Sequence, residues 1–271
     1  MIRLAVRAPA EAAEQVLAAL LELAPEGVEQ VDGPGFVEYA VYGAPGELPS
    51  LPEGPAEVGG VRVAVSGEEV PDDWADRWRR FHVPLLVGGR LYVRPPWAEA
   101  AIRPGVHDVV IDPGRAFGTG AHPTTRLCLE LLLGLALERG AAGALADLGC
   151  GSGVLAIAAS KLGFEPVTAL DSDRAAVEAT VRNARANGVE LARVARANLR
   201  AEAPPSAEVV TANLTRPLLL RVATLMPGRP RALIVSGLLD GESASVAAAF
   251  APLRQRRQLS DRGWSALLLE A

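Results

Sequence analysis

The run Asp147-Leu148-Gly149-Cys150-Gly151-Ser152-Gly153 carries the densest chemical signal in the chain. Glycines at alternate positions let a ligand come close to the backbone, as loops that cradle nucleotide cofactors require. An apolar run precedes the loop, the helical stretch Val154 to Leu162 follows it, and Asp171 ends the next apolar run. A carboxylate placed about twenty residues beyond such a loop can accept both hydroxyl hydrogens of a ribose. Glycines that only tighten a strand-to-helix turn would need no such acid, so the combination implies a nucleoside-bearing cofactor. Spacing then separates the cofactor classes. Dinucleotide sites read G-x-G-x-x-G at the pyrophosphate, whereas this loop reads G-x-G-x-G behind Asp147. A carboxylate there repels a phosphate and attracts the sulfonium and amine of S-adenosyl-L-methionine. Asp147, Gly149, Gly151 and Asp171 are therefore candidate contacts of that cofactor, and methyl transfer is the expected reaction.

Methyl transfer to an amine is an in-line displacement, and its obstacle is protonation of the acceptor. Deprotonating a lysine amine at pH 7 costs about 4–5 kcal/mol, and an α-amine roughly 1 kcal/mol. Asn213, which ends the apolar run Val209 to Asn213, is the candidate catalytic residue. Its carboxamide oxygen can accept hydrogen bonds from an entering nitrogen and aim the lone pair at the methyl group. A lone asparagine caps turns as readily as it serves a site; its place after the fourth strand favours the site. Asn198 can approach an adenine or occupy an exposed turn. His122 can act as a base or organise its loop by hydrogen bonding, and the second reading is preferred. Thr119, Thr124 and Thr125 can cap helices or line the pocket.

The elements that must position these groups alternate in type. Leu145 to Leu148, Val167 to Asp171, Val209 to Asn213 and Ala232 to Ser236 read as strands, with another near Val194. Helices over Asp173 to Asn187 and Pro217 to Met226 fill the gaps, the first closed by Gly188, the second stopped by Pro227 and Gly228. Alternation of this kind builds a parallel sheet with helices on both faces. Trp264 to Leu269 reads as a terminal strand. The N-terminal segment reads as a small α/β unit: a strand over Ile2 to Arg7, a helix opening after Pro9, and a hairpin of Val28 to Val31 with Phe36 to Tyr42 around Gly33-Pro34-Gly35. Gly43 to Gly60 is rich in Pro, Gly and Glu and suits a connection; Val61 to Val65 reads as a further strand. Trp74 and Trp78 share one face of a docking helix over Asp72 to Phe81. The expected partition is residues 1–58 as an N-terminal unit, 59–95 as connecting segment and interdomain helix, and 96–271 as catalytic domain.

Composition bounds the alternatives. Of the 271 residues, 49% are apolar and 22% charged, a globular mixture. The most apolar window, Leu127 to Cys150, is interrupted by Glu130, Glu138, Arg139 and Asp147 and cannot span a bilayer. No apolar core of a signal peptide follows the N-terminus, so a cytoplasmic location is expected. Cys128 and Cys150 stand in no metal-ligand spacing, so no metal is expected. A net charge of −5 argues against broad binding to nucleic-acid backbones.

Upstream of the glycine loop lies the string Asp112-Pro113-Gly114-Arg115-Ala116-Phe117-Gly118-Thr119-Gly120-Ala121-His122-Pro123-Thr124-Thr125. It resembles the D-P-G-x-A-F-G-T-G-x-H-x-T-T signature of the ribosomal protein L-eleven methyltransferases and matches it at every specified position. Asp147 to Leu155 resembles that family's cofactor loop, Ala212-Asn213-Leu214 its post-strand motif, and Asp73-Trp74 with Trp78-Arg79 its interdomain helix. The resemblance implies a class I, Rossmann-like catalytic domain with a doubly wound, mostly parallel seven-stranded sheet. It also implies a small N-terminal ferredoxin-like α/β domain that recruits the ribosomal protein. Thr125, Gly149, Asp171 and Asn213 correspond to the family's cofactor-binding positions. The implied activity is N-methylation of lysine ε-amines, the N-terminal α-amine, or both, on large-subunit ribosomal protein L-eleven. Another protein lysine or a small molecule is the alternative acceptor. The cluster Arg254, Arg256 and Arg257 matches no motif.

Overall fold

A computed structural model describes residues 2–23, 28–43, 48–69, 83–100, 103–112 and 122–271. The helix expected over Asp72 to Phe81 and positions 113–121 of the signature lie outside the described residues. The chain divides into two compact units, Met1–Phe81 and His82–Ala271.

The first unit is a five-stranded antiparallel sheet in the order β2-β3-β1-β5-β4. Its strands are β1 (Ile2–Pro9), β2 (Glu29–Gly33), β3 (Phe36–Gly43), β4 (Gly54–Val58) and β5 (Val61–Glu69), with helix α1 (Ala13–Leu23) on one face. Leu4, Val6 and Ala8 alternate toward that face and bury against Val16 and Leu20 of α1. The β-α-β-β beginning follows the ferredoxin-like plan. Where that plan has a second helix, however, residues 48–53 are not helical and β4 adds a strand beyond β5.

The boundary therefore differs from the expected partition. Residues 54–69 are sheet strands of the first unit, because Val61, Val63 and Val65 alternate and β5 pairs along β1. The glycines that suggested a linker include Gly59 and Gly60, whose positive φ values make them the two-residue turn between β4 and β5. Strands β6 (Leu85–Val87) and β7 (Leu91–Arg94) belong to the second unit, where they form a three-stranded sheet with β8 (His107–Val110).

The second unit is built on a seven-stranded sheet in the order β11-β10-β9-β12-β13-β15-β14, parallel except for its last two pairings. The strands are β9 (Leu145–Leu148), β10 (Val167–Asp171), β11 (Arg193–Arg196), β12 (Val209–Asn213), β13 (Ala232–Leu239), β14 (Arg254–Asp261) and β15 (Trp264–Glu270). Every residue of β9 is buried, as a central strand covered on both faces must be. One face packs under α2 (Pro123–Arg139) and α3 (Val154–Leu162), the other under α5 (Arg216–Leu225) and α6 (Ser243–Ala249). Helix α4 (Arg174–Ala186) joins β10 to β11.

Several elements escaped the sequence reading, β4, β6 to β8 and α6 among them, and two show why. Helix α2 has no polar stripe to reveal it: its leucines are apolar nearly all round, because α2 packs on β13, β15 and α3 together. Strand β14 is polar along most of its length because it is the sheet edge. Its unassigned arginines are the charges that blunt such an edge, Arg257 paired with Glu138 at 2.7 Å and Arg256 with Glu270 at 3.5 Å. No helix among the described residues is long and apolar enough to cross a membrane.

Leu132 is fully buried in α2, whereas Leu137 on the same helix is 56% exposed. Leu132→Ala is expected to cost about 2–5 kcal/mol in denaturant unfolding through the cavity it leaves, and Leu137→Ala less than about 1 kcal/mol. Equal losses at both positions would contradict this packing.

Candidate functional site

Strand order reverses between β9 and β12, which leave their C-terminal ends side by side, with Ala212 in register with Leu148. Such a switch point opens a crevice, since the connections from the two strands run to opposite sides of the sheet. The crevice here is a cleft of about 220 Å³. Its walls include Thr125, Gly149, Gly151, Asp171, Asn198 and Asn213. Five of the six expected cofactor contacts are thus brought together, from α2 and the ends of β9, β10 and β12.

Asp171 is fixed by two backbone donors. Its Oδ2 accepts from the Gly151 N–H at 2.9 Å and its Oδ1 from the Asp173 N–H at 3.0 Å. Each oxygen keeps a lone pair for a further donor, and the residue is only partly buried. Gly149 has φ +75°, a conformation that strains any side chain, and a Cβ there would stand 2.3 Å from Leu214 Cδ2, so the Leu214 side chain would have to move.

Asn213 is held from α2. Its Nδ2 donates to Thr124 Oγ1 at 3.2 Å and to Thr125 Oγ1 at 3.4 Å, and its Oδ1 accepts no hydrogen bond among the described residues. The two threonines are themselves buried. They are set by the start of α2, where His122 is the N-cap: its Nδ1 lies 2.7 Å from Thr124 Oγ1 and accepts from the Thr124 N–H. Trp264 meets the imidazole edge-on at 5.0 Å between centroids, and burial lowers the His122 pKa from its ordinary value. His122 thus caps α2 and sets Thr124. From the other side, Gly237 presses on the segment after Asn213: it has φ +83°, and a Cβ there would lie 2.3 Å from the Leu214 carbonyl oxygen.

Asp147 is the expected contact that does not line the cleft. Its side chain turns beneath the loop, 1% exposed, and accepts from Thr211 Oγ1 at 2.8 Å and from the Ala156 N–H at 3.2 Å. It ties β9 to β12 and to the first turn of α3. Burial opposes its ionisation and raises its pKa to about 7, with Asp171 adding repulsion and the two hydrogen bonds offsetting part of the rise. A raised folded-state pKa means that the folded chain binds the proton more tightly than the unfolded one. The associated stability is complete below the ordinary carboxylate range and is lost as pH climbs through about 7. Asp147→Asn removes this dependence while keeping an acceptor for Ala156. Between pH 5 and pH 8 the variant should gain about 3 kcal/mol on the wild type in denaturant unfolding. A difference that stays flat across that range would mean that Asp147 ionises as an ordinary carboxylate.

Comparison with known proteins places this geometry. The sequence model described as ribosomal protein L11 methyltransferase (PrmA) matches residues 56–271. The protein of that name from Geobacter sp. (strain M21) is 40% identical over 203 residues, 72% of this chain and 66% of the relative. That from Caldanaerobacter subterraneus subsp. tengcongensis is 41% identical over 165 residues, 61% and 52% of the two chains. This chain thus spans about half to two thirds of those two relatives. Over 282 aligned residues the Bordetella parapertussis relative is 36% identical and both chains are 89% covered. The crystal structure of ribosomal protein L11 methylase from Lactobacillus delbrueckii subsp. bulgaricus superposes with a TM-score of 0.61 at 26% identity, covering 70% of this chain and 98% of that one. With the family's sequence model matched from β4 to the last residue and the strand order of class I methyltransferases beneath the cleft, the chain belongs to the ribosomal protein L11 methyltransferase family.

Proposed function

We propose that this chain transfers methyl groups from S-adenosyl-L-methionine to lysine ε-amines, the N-terminal α-amine, or both, of ribosomal protein L11, and that it does so in the cytoplasm. The observation that carries the reading is Asn213: a carboxamide held by two threonine hydroxyls in the cleft, with an acceptor oxygen unengaged among the described residues.

The residues suit the cofactor. Gly149 and Gly151 leave the backbone open to close approach, Asp171 offers acceptors for ribose hydroxyls, and Asn198 and Leu199 line the same cleft, as a base would need. Thr125 stands on the wall with Asn213. S-adenosyl-L-methionine supplies the electrophile, a methyl group on a sulfonium. The chain's task is orientation. Asn213 Nδ2 is occupied by Thr124 and Thr125, which fixes the carboxamide plane and leaves Oδ1 to accept from the entering amine. A neutral amine so held presents its lone pair in one direction. Asp147 acts from below as a positioning residue, since the bridge to Thr211 sets the glycine loop against β12.

Mass spectrometry of large-subunit ribosomal proteins incubated with enzyme and isotopically labelled S-adenosyl-L-methionine tests the reading. Label on protein L11, lost by about a hundredfold in rate with Asn213→Ala, is the expected result. Label on another protein would move the acceptor, and full turnover by Asn213→Ala would remove that residue from the reaction. Gly237→Ala replaces no side chain of the cleft but displaces the Leu214 backbone beside Asn213, so it should slow turnover at least tenfold. Unchanged rates in this variant would show that the position of the post-β12 segment is not critical.

A further inference from the structure

Helix α4 and its C-cap carry a stripe of polar side chains, Thr180, Asn183 and the cap residue Asn187, that points inward, and none of the three lines the cleft. Thr180 is fully buried and Asn183 is 3% exposed. Burying a carboxamide is costly unless each of its groups is satisfied. Those of Asn183 are. Its Oδ1 accepts from the Asp112 N–H at 3.0 Å, and its Nδ2 donates to the Ser152 carbonyl at 2.9 Å and, more weakly, to the Asp112 carbonyl at 3.5 Å. One turn on, Asn187 repeats the pattern: Oδ1 accepts from the Val110 N–H at 2.8 Å and Nδ2 donates to the Val110 carbonyl at 2.6 Å.

The periodicities explain the fit. Residues four apart on a helix are separated by about 6 Å along its axis, and alternate residues of a strand by about 6.6 Å. Two carboxamides at i and i+4 can therefore pair with the backbone at j and j+2 as a neighbouring strand would. They fasten β8 and its continuation through Asp112 to α4. The stripe also holds the glycine loop, since Thr180 Oγ1 donates to the Gly151 carbonyl at 3.1 Å, next to the Ser152 carbonyl held by Asn183.

We propose that Asn183 is a positioning residue for cofactor binding, a joint that ties the glycine loop to Asp112, where the chain enters the signature string. The inference rests on the methyltransferase reading above. Asn187 serves as the internal control: it has the same chemistry on the same helix, but among the described residues its side chain reaches β8 and not the glycine loop.

The test is calorimetric titration of the full chain with S-adenosylhomocysteine, paired with thermal unfolding. Asn183→Ala should weaken binding about tenfold or more, whereas Asn187→Ala should lower Tm while keeping Kd within about twofold of wild type. If Asn183→Ala does not fold, Asn183→Leu approximates the volume but can neither accept from Asp112 nor donate to Ser152, and the same loss is expected. An affinity of the Asn183 variant within twofold of wild type, or equal losses from both asparagines, overturns the proposal while leaving the methyltransferase reading intact. No binding by the wild type overturns both.

Discussion

The hydrogen bond from Thr211 Oγ1 to Asp147 Oδ1 lies at the base of everything the cleft does. It joins the central strand β9 to β12, the strand on the far side of the switch point, and the other oxygen of the same carboxyl takes the Ala156 N–H in the first turn of α3. Three elements meet at one buried group. The loop from Gly149 to Gly153 spans the gap between β9 and α3, so its shape follows from how these two are held. Asn213 ends β12 two residues beyond Thr211, so its place follows from how β12 sits beside β9. The cost is a carboxyl shut away from water, visible in its raised pKa. A valine would pack there more cheaply but could satisfy neither donor.

The same trade recurs across the upper end of the sheet. Thr124, Thr125, Asp147, Ser152, Thr180, Asn183, Thr211 and Ser236 are all buried polar residues, and they gather around the loop and its supports. The lower sheet is close-packed leucine, valine and isoleucine. An apolar core can be repacked in many ways at similar energy, whereas hydrogen-bonded donors and acceptors tolerate few arrangements. Polar burial here trades stability for position. Gly149 and Gly237 complete the arrangement sterically, the first packed on the Leu214 side chain and the second on the Leu214 backbone that follows Asn213.

Much of this was legible in the residues. Strands β9, β10 and β12 were readable to the residue, because central parallel strands are short apolar runs bounded by turn residues. The glycine spacing and Asp171 marked the cleft for the same local reason. What the sequence hid was long-range. Asp147 looked like a ligand contact because it adjoins the loop; only the register of β9 with β12 shows its side chain turned toward Thr211. Asn183 and Asn187 lay unremarked at the end of a predicted helix, since their partners Val110 and Asp112 lie more than seventy residues away. The boundary failed for another reason: Gly59-Gly60 is a hairpin signal, and the surrounding prolines and glycines masked it as a linker.

The choice of a carboxamide at position 213 follows from the protonation problem of the proposed reaction. An aspartate there would also accept a hydrogen bond from an incoming amine, and at lower entropic cost, because its two oxygens are equivalent. Its charge, however, would stabilise the ammonium form and raise the amine's pKa, deepening the 4–5 kcal/mol that a lysine must already overcome, on the order given by its reference pKa. Asparagine accepts without that penalty. It also needs its own Nδ2 held so that the oxygen, and not the amide nitrogen, faces the amine, which is what the hydroxyls of Thr124 and Thr125 provide. A carboxylate would repel neither hydroxyl but would turn them into donors, and the orientation they enforce would be lost. The threonines at the start of α2, the N-cap that sets them and the neutral amide they aim thus form one device, which in the proposed reaction would orient a nitrogen without holding its proton.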